Sequence, residues 1–474
     1  MAEFALFPTA HWAEHSAQAI AVSWKKGDSA LFSFLPAQIS WQEWHTLVQQ
    51  AVSFLQKNAI QAGDLVAYSG SHKLAGLLCY LAVLQLGAKI LMLNPAMAES
   101  QRQAVLRENG VARLLTDDAF AKFSSELTAC QHEILPLPVK CELKSSLPAT
   151  FTLTSGSSGS PKAVVHSIQN HLDNAQSVCE LMEFQQNHSW LLSLPLFHVS
   201  GQGIVWRWLL QGATLHLAEN KADFWQTLAQ VSHASLVPTQ LQRYLARNDL
   251  VSSTSQKILL GGAFIPPELI SAAQEKHIET FTGYGMTEMA STICAVQGEL
   301  DNVGSPLKGR DVRIEQGEIW VRGAGLALGY WLNQQLVPLV NQCGWFATKD
   351  KGEWKHGKLV VCGRLDNQFI SGGENIQPEQ IERVLFQSGI VKQAFVVPIA
   401  DKEFGQRPVA VVEFVEPFSQ QAVSSLQNFA IQHLEKFKLP VAYFPLEITA
   451  QGGVKISRRQ LQQEIAQKRE LYNV

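Results

Sequence analysis

The stretch Phe151-Thr-Leu-Thr-Ser-Gly-Ser-Ser-Gly-Ser-Pro-Lys162 concentrates more potential chemistry than any other in the chain. A β-like run enters a loop of glycines and hydroxyls and leaves it on a lysine. Gly156 and Gly159 can take positive φ, so that successive backbone N–H groups turn toward one anion. Thr154, Ser155, Ser157 and Ser158 add hydroxyl donors, and Lys162 adds a point charge. A triphosphate is the natural guest. The competing reading is a flexible Gly/Ser linker, and the apolar flanks Phe151, Leu153, Val164 and Val165 argue against it. A P-loop of the kinase or ATPase type is excluded. That motif needs Gly-Lys-Ser/Thr, whereas Pro161 precedes Lys162 and Ala163 follows it.

Further short motifs follow in order: Pro195-Leu-Phe-His198, Gly261-Gly-Ala263, Tyr284-Gly-Met-Thr-Glu288, Gly363-Arg-Leu-Asp366, Gly372-Gly-Glu-Asn-Ile-Gln-Pro-Glu379 and Lys455-Ile-Ser-Arg458. With the loop, the series resembles the adenylate-forming enzymes, which include acyl- and aryl-CoA ligases, luciferases and peptide-synthetase adenylation domains. Each motif alone is weak to moderate evidence, and their common order is strong. The family reaction has two halves. A carboxylate attacks the α-phosphate of ATP, giving acyl-AMP and pyrophosphate. A thiol, usually that of CoA, then takes the acyl group and AMP leaves.

The resemblance implies roles. Thr154, Ser155, Gly156, Ser157, Ser158, Gly159 and Lys162 would hold the nucleotide's phosphates. Gly261, Gly262 and Ala263 would form the turn that contacts its adenine, and Tyr284 and Gly285 would bind the nucleotide as part of the motif that ends on Glu288. Thr287 would donate to the α-phosphate. Glu288, a hard oxygen donor, would suit Mg²⁺. Asp350 would accept from the ribose hydroxyls, with Arg364 near ribose and phosphate. Lys455 would be the adenylation lysine. Asp366 would be a hinge about which a C-terminal domain turns, exchanging Lys455 for a pantetheine channel formed by Gly372 and Gly373. The expected cofactors are ATP, Mg²⁺ and CoA as co-substrate. Two local departures stand out. The family's Thr-Gly-Asp reads Thr348-Lys-Asp350 here, and Gly453-Val-Lys455 places one residue between glycine and lysine.

No lysine or arginine occurs from Ala163 to Trp206, and the next cation is Arg207, between Trp206 and Trp208. If this segment lines an acid pocket, Arg207 is a lone guanidinium among aromatics. Such a group wants a carboxylate or an aromatic face. The substrate would then be an aromatic dicarboxylic acid. An Arg stacked on its own tryptophans at the surface is the equal alternative. Phe197-His-Val-Ser-Gly-Gln-Gly203, Trp345–Asp350, Ser371–Pro378 and Gly452–Ser457 together look like the bacterial 2-succinylbenzoate–CoA ligases of menaquinone synthesis. That resemblance gives Ser291 and Thr292 as donors to the substrate and His198 as a group shaping the pocket entrance. A different aryl- or fatty-acid–CoA ligase, or a nucleotide-binding module without catalysis, remain as alternatives.

Elements must place these residues. Ser40-Trp-Gln-Glu43 is a capping box ahead of Trp44, Leu47, Val48, Ala51 and Leu55 at helical spacing. Short apolar runs at Leu65–Tyr68, Lys89–Leu93, Trp190–Leu194, Ala213–Leu217, Ser235–Val237 and Lys257–Leu260 alternate with longer polar segments. This rhythm predicts an α/β chain, with a large N-terminal domain of α/β subdomains (1–364) and a small α+β C-terminal domain (365–474), and the resemblance implies that the latter is mobile. In the latter, Ala394–Pro398 and Val409–Val415 read as strands and Gln420–Phe437 as a helix. Gly323–Gly329 mimics a dinucleotide fingerprint with the wrong spacing, and Gly201-Gln-Gly203 lacks a third glycine, so both are discounted.

At 474 residues, with 46% hydrophobic and 17% charged side chains, the chain can bury sizeable cores and is not disordered. A net charge of −3 gives no basic surplus, so no nucleic-acid partner is expected. Seven cysteines without a C-x-x-C pair read as thiols of a reducing compartment. The first lysine is Lys25, so no secretory signal is expected, and Leu74–Ala88 is short of the roughly 20 apolar residues of a spanning helix. The expectation is a cytoplasmic protein without stable membrane insertion. A homo-oligomer is left open.

Overall fold

The computed structural model describes residues 4–25, 31–129, 143–154, 161–247, 249–250, 255–446 and 458–472. The chain divides into two compact units, 1–312 with 321–346, and 313–320 with 347–474.

The first unit is built on two large sheets. One has seven strands, in the order Gln335–Val337, Gly329–Leu332, Lys162–Ser167, Pro148–Thr154, Lys89–Met92, Leu65–Ser69, Arg113–Thr116. The other has eight, in the order Ser291–Gln297, Ile278–Met286, Gln256–Leu260, His233–Leu236, Ser189–Leu191, Thr214–Leu217, Ile20–Trp24, Gln38–Ser40. The eight-stranded sheet has parallel inner pairs and an antiparallel pair at each edge, whereas the seven-stranded sheet is parallel from Pro148–Thr154 to Arg113–Thr116 and antiparallel from Pro148–Thr154 to Gln335–Val337. The α/β reading holds. The capping box forms as expected: Ser40 caps the helix Trp41–Lys57, and the Glu43 side chain accepts from the Ser40 N–H at 2.8 Å. The uncharged stretch from Leu74 is the helix Lys73–Gln85, buried at every position after the first, and a strand follows at Lys89–Met92. No helix among the described residues is long and apolar enough to cross a membrane.

The second unit contains most of a four-stranded sheet, Arg310–Glu315, Glu318–Gly323, Phe346–Lys355, Lys358–Arg364, and a smaller α+β body. In that body Val391–Asp401 pairs antiparallel with Gly405–Phe414, which pairs parallel with Tyr443–Pro445. Period-two alternation divides the apolar side chains between two faces. Val396, Ala410 and Val412 pack with Ile381, Leu385 and Leu426 of the helices Pro378–Gln387 and Gln420–His433. Val397, Val409 and Val411 pack with Leu461 and Ile465 of the helix Arg458–Tyr472. The predicted helix from Gln420 stops at His433, and a separate 3-10 turn occupies Lys436–Lys438. Arg458 locks this body together. Its guanidinium meets Glu382 through both nitrogens, one at 2.6 Å, donates to the Val396 carbonyl at 2.9 Å, and lies 3.4 Å from Glu379.

Candidate functional site

Pro148–Thr154 and Lys162–Ser167, the strands on either side of the glycine-rich stretch, pair antiparallel with Thr154 opposite Lys162. Ser155, Gly156, Ser157, Ser158 and Gly159 lie outside the described residues, as does Lys455 with Gly453 and Val454. Lys162 begins its strand, with Nζ 5.6 Å from the centre of the Tyr330 ring.

The motif Tyr284–Glu288 ends the strand Ile278–Met286 and enters a 3-10 turn, Thr287–Met289. Ala290 and Ser291 then take positive φ, and the chain returns as Ser291–Gln297. This reversal presents Glu288 at the strand end. Its carbonyl accepts from the Ala327 N–H at 2.8 Å, and its Oε1 accepts from the Tyr330 hydroxyl at 2.9 Å. Among the described residues no group of three or more His, Cys, Asp or Glu converges on a metal-sized site. A single carboxylate such as Glu288 is still compatible with Mg²⁺, which is commonly held by one or two carboxylates plus substrate phosphates. Gly261, Gly262 and Ala263 follow directly on the strand Gln256–Leu260, next to Ile278–Met286, with Gly262 at φ 82°.

Arg207 lies on the helix Val199–Gln211 and is 1% exposed. Residues 206 and 208 point away around the helix: Trp206 donates to Tyr80 at 2.9 Å, and Trp208 stacks on Trp41. The aromatic face under the guanidinium is instead Trp190, 5.1 Å away. Nη1 donates to Ser235 Oγ at 3.3 Å, and Nη2 to Thr292 Oγ1 at 3.5 Å, with Ser291 Oγ 3.5 Å beyond. No carboxylate pairs with it among the described residues, and burial pulls its pKa down to about 10. The surface alternative is therefore excluded: this is a buried cation in a cage of hydroxyls and indole. A methyl group on Gly203 would come within 3.2 Å of Arg207 Nη2, so the absence of a side chain there leaves room beside the cation.

His198 caps the same helix, with its N–H on the Pro195 carbonyl at 3.1 Å and its ring beside Phe197. Buried Gln202 donates to Thr152 Oγ1 and to the Leu196 carbonyl, both at 3.0 Å. It thus ties the Pro195–His198 turn to the strand that leads into the phosphate loop. Gln202, Ser235, Trp190 and Tyr330 are the groups that sequence reasoning missed.

In the second unit, Arg364 forms a fork on Asp366, Nε and Nη2 each at 2.9 Å, and Nη1 reaches Asp350 Oδ1 at 3.2 Å. The hydrogen bond to Asp366 raises the Arg364 pKa against the effect of burial, and the same bond holds the Asp366 carboxyl below the usual range. Asp350, Arg364 and Asp366 are thus brought together. Lys349, which replaces the family's glycine, sits at φ 61°, a left-handed conformation. Its N–H donates to Glu318 at 2.8 Å, and Thr348 Oγ1 accepts the Asp350 N–H at 3.0 Å, so the backbone on both sides of this left-handed residue is hydrogen-bonded. Gly372 and Gly373, both at positive φ, join Phe369–Ser371 to Glu374–Ile376 as a two-residue hairpin turn.

Comparison with known proteins agrees with this geometry. A family model described as "AMP-binding enzyme" matches residues 10–331. The 2-succinylbenzoate–CoA ligase of Haemophilus influenzae is 51% identical over 91% of this chain and 94% of its own. An Escherichia coli MenE variant with bound OSB-AMS superposes with a TM-score of 0.84 at 39% identity, over 98% of this chain and 99% of that one. The o-succinylbenzoate CoA synthetase (MenE) of Bacillus subtilis, in complex with the acyl-adenylate intermediate OSB-AMP, gives 0.83 at 26% identity over 96% and 98%. The same Bacillus protein with ATP and magnesium ion gives 0.79 at 25% over 93% and 96%. The motif order, the caged arginine and the extent of these matches lead to one assignment: the chain belongs to the AMP-binding enzyme family and groups there with the 2-succinylbenzoate–CoA ligases.

Proposed function

We propose that this chain converts 2-succinylbenzoate to 2-succinylbenzoyl-CoA through an acyl-adenylate, as a step of menaquinone synthesis. The observation that carries the choice of acid is Arg207. A buried guanidinium without a carboxylate partner among the described residues, lined by Ser235, Thr292 and an indole face, suits an aromatic acid with a second carboxylate.

Adenylation of this kind depends on positioning and charge stabilisation. Arg207 would hold one carboxylate while the other is presented to the nucleotide, with Ser291 and Thr292 fixing the acid's orientation and His198 shaping the entrance. Lys162, with the loop residues Thr154–Gly159, would hold the phosphates. Magnesium, when bound through Glu288, neutralises phosphate charge. Thr287 would donate to the α-phosphate. Gly261–Ala263 would frame the base and Tyr284 and Gly285 would bind the nucleotide, with Asp350 and Arg364 at the ribose. The carboxylate oxygen attacks the α-phosphorus, the bond to pyrophosphate breaks, and Lys455 would bridge the nucleotide and the reacting carboxylate.

In the second half-reaction the CoA sulfur attacks the acyl carbon and AMP leaves with the bonding pair. A turn of residues 365–474 about Asp366 would withdraw Lys455 and bring Gly372 and Gly373 to the pantetheine arm. The five described cysteines are free thiols, in keeping with a reducing, cytoplasmic setting. The test is formation of AMP, pyrophosphate and CoA thioester from 2-succinylbenzoate by folded protein. Absence of turnover with this acid, alongside turnover of a benzoate, cinnamate or fatty acid, would overturn the assignment.

A further inference from the structure

The strand Gly329–Leu332 follows the glycine-rich stretch that sequence analysis set aside, and it pairs antiparallel with Lys162–Ser167. Tyr330 lies opposite Val164 and Trp331 opposite Ala163. Their side chains alternate between faces. Trp331 turns into the core, edge-on to Phe151, with its indole N–H on the Asn109 carbonyl at 3.0 Å, which anchors the strand. Tyr330 faces the other way. Its ring lies 5.6 Å from Lys162 Nζ, within cation–π range, and its hydroxyl donates to Glu288 Oε1 at 2.9 Å. Ala327, three residues earlier, holds the Glu288 carbonyl at 2.8 Å. One short segment therefore grips the Glu288 turn by main chain and side chain, while the same aromatic ring backs the lysine at the exit of the phosphate loop.

We propose that Tyr330 is a positioning residue for adenylation, fixing the Glu288 carboxylate and the Lys162 ammonium relative to each other so that both meet one metal-bound triphosphate. The proposal rests on the reading of Glu288 as the magnesium carboxylate. The physical need is clear. Glu288 stands on a three-residue turn and Lys162 at a strand end, and a flexible carboxylate or ammonium must lose rotamer freedom when the nucleotide arrives. A rigid aromatic ring with a hydroxyl at its tip orders both before binding. Phe in its place keeps the ring and loses only the hydrogen bond, whereas Leu loses both contacts.

The experiment uses full-length Tyr330→Phe, Tyr330→Leu and Glu288→Gln proteins. Two quantities are read: the Mg²⁺ concentration giving half-maximal ATP–pyrophosphate exchange, and the affinity for Mn²⁺ in the presence of a non-hydrolysable ATP analogue, followed by electron paramagnetic resonance. Tyr330→Phe should weaken both by about tenfold, the size of one hydrogen bond to a charged group, with the KM for 2-succinylbenzoate changed less than about twofold. Tyr330→Leu should in addition raise the KM for pyrophosphate. A wild-type metal requirement in Tyr330→Phe, with a raised one in Glu288→Gln, would overturn the role of Tyr330 alone. A wild-type requirement in both would overturn the reading of Glu288 and the proposal with it. A uniform fall of every kinetic parameter together with thermal stability would reduce Tyr330 to a packing role and also overturn the proposal.

Discussion

Replacing Arg207 by Met separates the energetics of the fold from those of the site, because the two should move in opposite directions. Arg207 is 1% exposed and has no carboxylate partner among the described residues. Its hydrogen bonds, at 3.3 and 3.5 Å, run to neutral hydroxyls and are long. Burial takes its pKa from 12.5 to about 10. At about 1.4 kcal/mol per tenfold, that fall represents roughly 3 kcal/mol of solvation not recovered in the ligand-free protein. Methionine has a similar length and no charge, so Arg207→Met should raise stability by about 1–3 kcal/mol, read as a higher urea midpoint at unchanged slope. The same change removes one partner of a buried ion pair in the substrate complex. Such losses cost about 3–5 kcal/mol, so kcat/KM for 2-succinylbenzoate should fall by about two to four orders of magnitude. A monocarboxylate analogue lacking the second acid group should keep its kcat/KM within about fivefold, since it never pairs with the cation. Lower stability, with equal losses for the two acids, would refute this reasoning and make Arg207 a structural residue.

Lys349→Gly should leave the turn before Asp350 intact. It removes a left-handed penalty of about 1–2 kcal/mol against a glycine entropy cost of about 0.5–1 kcal/mol, for a net gain of between zero and about 1.5 kcal/mol. A loss of stability in chemical denaturation would contradict this. His166 and His233 are buried, with pKa values lowered by desolvation to about 3 and about 4, and His171 is likewise held low. The unfolded chain takes up these protons first as the pH drops through about 6.5, so stability should decline from there toward pH 4, by up to about 2 kcal/mol per histidine at pH 5. Equal urea midpoints at pH 7.5 and pH 5 would show that these rings are not held neutral. Arg458→Ala strands the Glu382 carboxylate, which burial already pushes toward the protonated form against the pull of Arg458. It should cost about 3–5 kcal/mol, and Glu382→Gln in the same background should restore part of that in calorimetric unfolding.

Local rules wrote much of this protein plainly into its sequence. The capping box at Ser40, the 3.6-residue spacing that follows it and the apolar runs of the inner strands depend on neighbours a few residues apart, and they fold as read. The strands flanking the phosphate loop were legible for the same reason: Phe151, Leu153, Val164 and Val165 bracket the loop in a short span. The order of the motifs was enough to name the chemistry through its resemblance to the adenylate-forming enzymes, and the residue types there suit that chemistry. Partners far along the chain were not legible. Ser235 is 28 residues from Arg207 and Tyr330 is 42 from Glu288, whereas Thr292, 85 residues from Arg207, was named only through the family resemblance. Their meeting depends on strand order within sheets joined by crossovers, and no local periodicity records that order. Arg207 shows the division most sharply. Its sequence neighbours suggested stacking on Trp206 and Trp208, yet a helix turns adjacent side chains about 100° apart and sends both elsewhere. Only the packing of that helix against the eight-stranded sheet places Trp190 beneath the guanidinium, and only there is the charge enclosed by an indole and hydroxyls.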